Sequence, residues 1–182
     1  MLLLGIRPEE TFLTGDIPST GLGPFTSRKN KMIIDITGGI KKDRDIAEEI
    51  VWWCLDMMMP RHRSLNIDIR FCKTFEDGAQ GFCYLGDDDN DYHIDIDHRL
   101  SRTVNKEEFI RCIMHEMIHV WQMATGRWKD KFVGGYKQLW KCKDGKYRNY
   151  NNTKYERQPW EVQAYKLEGQ LAETFMKEYC YE

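Results

Sequence analysis

The sequence predicts an α+β fold in which a short mixed or antiparallel sheet packs on helices. Three observations carry that prediction. Apolar residues recur at helical spacing in three long segments, near residues 43–60, 105–126 and 159–179. Shorter segments at 31–39, 64–71, 81–85 and 92–97 alternate or run apolar as strands do. The 182 residues, 41% hydrophobic and 31% charged, suit one globular domain with its own core.

The elements follow in order. Residues 1 to about 30 hold Pro8, Gly15, Pro18, Gly21, Gly23 and Pro24, a density of breakers that predicts an irregular arm. The single domain is expected over 31–182. "KMIIDITGG" reads as a strand closed by two glycines. "DRDIAEEIVWWCLDMMMP" is a helix with Ile46, Ile50, Trp53, Leu55 and Met57 inward, stopped by Pro60. "SLNIDIRF" points Leu65, Ile67, Ile69 and Phe71 to one face, as a half-buried strand does. "GFCYLGDDDNDYHIDIDHRL" reads as a hairpin, one strand to Leu85 and another from Tyr92 to Asp97. Its acidic turn lacks the glycine and distal glutamate of an EF-hand loop, which favours a solvated turn.

"NKEEFIRCIMHEMIHVWQMATG" is the strongest helix. Asn105 is placed to cap it, Glu108 stands three residues on, and Gly126 ends it. Residues 127–157 form a basic, aromatic insertion, with ten Lys or Arg against three acids. Within it "QLWKCKDGKYRNY" reads as a hairpin. Pro159 then opens a last helix, "PWEVQAYKLEGQLAETFMKEY".

The central helix carries His115-Glu116-Met117-Ile118-His119, the spacing H-E-x-x-H. At about 100° per residue, His119 falls about 40° from His115, with Glu108, Cys112 and Glu116 in the same sector. Phe109, Ile110, Ile113, Met114, Met117, Val120, Trp121 and Ala124 fill the opposite arc. Such a helix lays one side on a core and offers the other to a cleft. Imidazoles at i and i+4 both reach one Zn²⁺, and Glu116 beside the first is placed to take a proton from a metal-activated water. Cys112 reads as a buried thiol beside the site. The bland alternative is a surface helix with two solvated histidines.

No histidine follows His119; His62, His93 and His98 all precede the motif. A carboxylate on the last helix is therefore the natural third ligand. Here the chain resembles the gluzincin type of zinc metallopeptidase, in which a glutamate from a later helix completes the site. The matching stretch is "PWEVQAY", and the resemblance carries the ligand role to Glu161, ahead of Glu168 and Glu156. It implies a small zincin-like domain, with the sheet packed on the H-E-x-x-H helix and the C-terminal ligand helix. It covers roughly residues 31–180, though only the two short motifs are specific. The chain also resembles SprT-type zincins in size and in "HEMIHVWQ", but the third histidine usual there is absent.

The resulting expectation is a zinc-dependent metallopeptidase, with His115, His119 and Glu161 on Zn²⁺ and Glu116 as general base. Tyr165, one turn after Glu161, is the candidate donor to a developing oxyanion, with His98 second. "YHIDID" is a candidate sheet edge for pairing with an extended peptide or protein substrate. The rival is a non-catalytic or assembly protein on the same scaffold, touching nucleic acid through 127–157. A hydrolase with a non-peptide substrate is a third option. The insertion could equally cover the metal cleft. No apolar run is long enough for a membrane span, and the opening "MLLLGIRPEETF" lacks the form of a secretory signal. Six cysteines without a C-x-x-C pair suggest reduced thiols and a cytoplasmic setting.

Overall fold

Alternation in "SLNIDIRF" becomes strand β2 (Asn66–Cys72), with Ile67, Ile69 and Phe71 buried and the residues between them facing away. The computed structural model describes residues 32–179 apart from 63, 73, 74, 76, 77, 89 and 132–134, so the arm expected before residue 31 lies outside the described residues. Strand β1 (Ile33–Gly38) runs parallel to β2, and helix α1 (Lys41–Met58) makes the crossover such a pair needs. Gly38 and Gly39 both have positive φ and turn the chain from β1 toward α1. At Gly38 an added Cβ would lie 2.2 Å from the Phe71 carbonyl oxygen, so only glycine fits there.

Strands β3 (Gly81–Leu85) and β4 (Asp91–Asp97) form the expected antiparallel hairpin. Strand β4 also pairs in parallel with β2, so the sheet is mixed, in the order β1-β2-β4-β3. This corrects the expectation for "YHIDID". That segment is β4, an interior strand hydrogen-bonded on both sides, and the edge is β3. The acids of β4 point to the open face of the sheet, which mimics the pattern of an exposed edge. Tyr92, Ile94 and Ile96 point the other way, into the core.

A short helix α2 (Leu100–Thr103) leads to α3 (Lys106–Ala124). The Asn105 side chain accepts from the Glu108 backbone N–H at 2.8 Å, satisfying one of the orphan donors of the first turn. Gly126, at φ 69°, takes the chain out of the helix. Ile110, Ile113, Met114, Met117 and Val120 are fully buried. The polar sector is covered too, by α4 (Pro159–Glu178). The central helix is therefore buried on nearly all sides between Phe109 and Met123, not half-exposed as its amphipathic pattern suggests.

Helix α4 also reaches α1, where Trp53 meets Phe175 edge to face at 5.7 Å. Such pairs add about 0.5–1.5 kcal/mol beyond the area they bury. The basic insertion forms a second, antiparallel sheet of β5 (Trp128–Lys131), β6 (Lys137–Lys141) and β7 (Tyr147–Asn149). Trp128 stacks on Trp160 with centroids 5.0 Å apart and planes 2° from parallel, tying this sheet to the first turn of α4. A 3-10 turn, Tyr155–Arg157, makes the connection. No helix among the described residues is long and apolar enough to cross a membrane, and no disulfide joins the described cysteines.

Candidate metal centre

Helices α3 and α4 run antiparallel, so the start of α4 meets the middle of α3. That crossing brings Glu161 onto both motif histidines. Its Oε2 lies 3.3 Å from His115 Nε2, and its Oε1 lies 3.4 Å from His119 Nε2. The two Nε2 atoms are 3.1 Å apart. All three residues are buried, and among the described residues they form the one group of three placed to hold a metal ion. Donors bonded tetrahedrally at about 2.0–2.1 Å to one centre stand about 3.3–3.4 Å from one another. The close spacing of the two imidazole nitrogens and the carboxylate, one oxygen toward each ring, and the two-imidazole, one-carboxylate donor set fit a metal such as zinc.

Outside this triad each histidine is held by its other nitrogen. His115 Nδ1 lies 2.7 Å from Glu168 Oε2, and Glu168 Oε1 accepts from Arg111 Nη2 at 2.8 Å. His119 Nδ1 lies 2.9 Å from Gln122 Oε1. The Gln122 amide donates in turn to the Trp160 carbonyl at 2.9 Å and to Gln163 Oε1 at 3.2 Å. With both Nδ1 atoms directed at oxygens, both Nε2 atoms are turned toward Glu161. Glu168, the lesser ligand candidate from the sequence, thus sits behind His115 rather than beside it. Glu156 lies exposed on the 3-10 turn, apart from the group.

Burial and charge oppose each other here. Burial pushes the His115 pKa down, but hydrogen bonds to Glu161 and Glu168 and the charge of Glu116 outweigh it, and the pKa rises to about 10. Burial likewise pushes Glu161 up, while its two imidazole partners hold it down at about 2. Glu116, buried with no such direct partner, is raised above the usual carboxylate range, although the nearby histidines oppose the shift.

A cleft of about 660 Å³ opens beside the triad. Its floor is α3 from Glu108 to Glu116. One wall is residues 78–82, the approach and start of edge strand β3; the other is Tyr155, Tyr165 and Glu168. His115 and Glu116 reach the floor, whereas His119 lies deeper, with Trp128 5.4 Å from its ring. Gly81 lets the Glu116 carboxylate come close: a Cβ at 81 would stand 2.9 Å from Glu116 Oε1. Cys112 is a buried thiol in the floor, its pKa raised first by burial and then by neighbouring carboxylates.

Tyr165 stands in the cleft wall with its ring 4.8 Å from that of His115. His98 does not join it; its Nδ1 bonds the Cys72 carbonyl at 2.9 Å, at the end of β4. Tyr155 was not singled out from the sequence, where it reads as one more ring in the basic insertion. Partial burial and the nearby charge of Glu161 raise the pKa of its hydroxyl. The available signal was its place, six residues before Glu161 and just ahead of the proline that opens α4. Among the described residues of the insertion, Tyr155 lines the cleft and Trp128 packs on His119, while strands β5 to β7 contribute no other side chain to the lining. Compared with protein-family models, curated proteins and solved structures, the chain matches none of them.

Proposed function

We propose that this protein is a zinc-dependent metallopeptidase of gluzincin-like type on a zincin-like fold. The observation that carries this reading is the approach of His115, His119 and Glu161 to within 3.1–3.4 Å of one another, with Glu116 on the floor of the adjoining cleft. His115, His119 and Glu161 would hold the ion, which when bound supplies a Lewis acid and brings the pKa of water near 7.

The chain's own groups supply the remainder. Glu116 takes a proton at its carboxylate and later returns it to the leaving amine; its raised pKa suits a group that must do both. Tyr165, on the cleft wall beside His115, would be the donor that meets negative charge as it develops on a carbonyl oxygen. Edge strand β3 has one side paired with β4, and its other side offers backbone N–H and C=O groups to an extended peptide. Glu168 and Gln122 hold the histidine rings in one orientation.

The test is zinc content and peptide hydrolysis in the purified full chain, beside Glu116→Gln. Stoichiometric zinc in both proteins, with turnover lost in the variant, is expected. Absence of stoichiometric zinc after reconstitution, or full turnover by Glu116→Gln, would overturn the reading.

A further inference from the structure

The second sheet has two unlike faces. Strand register places Trp128, Asp130, Gln138, Trp140 and Arg148 on one of them. That face turns inward, since Trp128 and Trp140 both lie against Trp160. The other face carries Lys129, Lys131, Lys137, Leu139, Lys141, Tyr147 and Asn149. All of these are exposed except half-buried Leu139. Four lysines therefore share one small surface, and no strand residue on that surface is acidic. The nearby acids are engaged elsewhere. Asp130, on the inward face, accepts from the Tyr136 hydroxyl at 3.0 Å. Asp144, in the turn, pairs with Arg148 at 2.8 Å.

Two ordinary explanations for surface lysine do not cover this arrangement. Lysine on a sheet edge blocks pairing with other chains, which could explain Lys129 and Lys131 on β5. Lys137 and Lys141 belong to the middle strand β6, which has partners on both sides and no edge to protect. A solubilising surface mixes the two signs, yet this one carries only positive charge on a chain whose net charge is −2. Lys131 and Lys137 are moreover direct register partners, and like charges so placed cost stability. A face that keeps four unmixed cations against that cost is built to meet an anion.

The geometry narrows the class of anion. The lysines lie on two adjacent strands in a strip about 5 Å by 14 Å, from a strand spacing of about 4.8 Å and residue rises of about 3.4 Å. The charges are spread along the strip as they would be for a chain of phosphates. Leu139 lies between them on β6, and Tyr147 and Asn149 flank the strip on the edge strand β7. The Tyr147 hydroxyl donates to the Gly126 carbonyl, and Lys129 Nζ sits 5.0 Å from the ring centroid. A sheet face with a strip of lysines along two strands and a fixed ring on the third is a platform for unpaired bases and their backbone.

We infer that the outward face of β5-β6-β7 binds single-stranded nucleic acid, independently of sequence and over about four nucleotides. Binding is carried by Lys129, Lys131, Lys137 and Lys141 on phosphates. It does not depend on the metal centre or on peptidase activity.

The experiment is fluorescence anisotropy of the full chain with a labelled oligo-dT of about twelve nucleotides, titrated at several salt concentrations. Each phosphate neutralised on a single strand contributes about −0.7 to the slope of log K against log salt, so four lysines give a slope near −3. Lys131→Ala with Lys137→Ala should halve that slope while leaving Tm unchanged or raised, because the facing like charges are gone. Lys41→Ala and Lys177→Ala, which remove lysines paired with Asp45 and Glu173 on other elements, should leave the slope unaltered. The chelated protein should bind the oligomer equally well. Absence of salt-dependent binding overturns the inference, as does a slope indifferent to Lys131 and Lys137. A duplex of equal length bound as tightly, or phosphatidylserine vesicles bound where oligo-dT is not, also overturns it.

Discussion

Glu168 Oε2 and His115 Nδ1 stand 2.7 Å apart, and the same carboxylate holds Arg111 through its other oxygen. This relay begins at a half-exposed guanidinium on the cleft floor and ends at the ring whose other nitrogen faces Glu161. Burial alone would raise the Glu168 pKa, but His115 and Arg111 lower it, so the group stays ionised and accepts from both. Partners of this kind, when lost, typically reduce metal affinity 10–100-fold.

Glu168→Ala should therefore weaken zinc binding by about 10–100-fold. Glu168→Gln, which keeps an acceptor oxygen but not the charge, should fall between the variant and the parent. Competition with a chromophoric chelator measures both. Unchanged affinity in the alanine variant would remove Glu168 from the orientation of His115.

Gln122 makes the corresponding link for His119 and is fully buried. Gln122→Leu fills the space but leaves buried His119 Nδ1 without its acceptor. A buried polar group so orphaned costs about 1–3 kcal/mol. Urea denaturation of the metal-free variant should show a loss of at least that size. A midpoint equal to the parent's would mean that the α3–α4 seam does not depend on this amide.

At Gly81 the expected effect is on turnover rather than on zinc. The added methyl of Gly81→Ala would press on Glu116 Oε1 at 2.9 Å and on Ile96 Cδ1 at 3.0 Å. Displacing a reacting group by about 1 Å can cost about 10²-fold in rate. Peptide hydrolysis should fall on that scale with zinc content unchanged. Full activity would show that the carboxylate tolerates the shift.

The metal-free protein should also carry a pH signature. Folded His115 keeps its proton to about 10, whereas an unfolded imidazole loses it near 6.5. The stability gained is complete below about 6.5 and is lost as pH rises toward 10. Glu161, held at about 2, contributes on the acid side; its share is present above about 4.5 and is lost as pH falls toward 2. In chelator, Tm should decline from pH 6.5 to 10, and His115→Gln should lack that decline. An equal decline in the variant would assign it to other groups.

The residues differ in how far the sequence disclosed them. Helix α3 was legible because its cap, its period and its terminal glycine agree, and the strands were legible because burial on one face imposes a period of two. Lateral order was not. The period of β4 reports which face is buried but not which strand lies beside it, so an interior strand with acids on the open face was read as an edge. Glu161 and Glu168 posed a similar problem. Seven residues apart, they share a face of α4, and only the angle and direction at which α4 meets α3 assign one to the front of His115 and the other to its back. Tyr155 was hidden for a third reason: it lies in a 3-10 turn, where no period marks which way a side chain points.

The positions of the three candidate ligands along the chain have a consequence for folding entropy. His119 and Glu161 are 42 residues apart, and the whole second sheet lies between them. An ion shared by these residues closes that stretch into a loop, much as a covalent staple would. For a loop of this length the chain-entropy estimate for such a cross-link is about 4 kcal/mol. The ion would thus fasten the ends of the β5-β6-β7 sheet to each other, and chelation would release the two ends together.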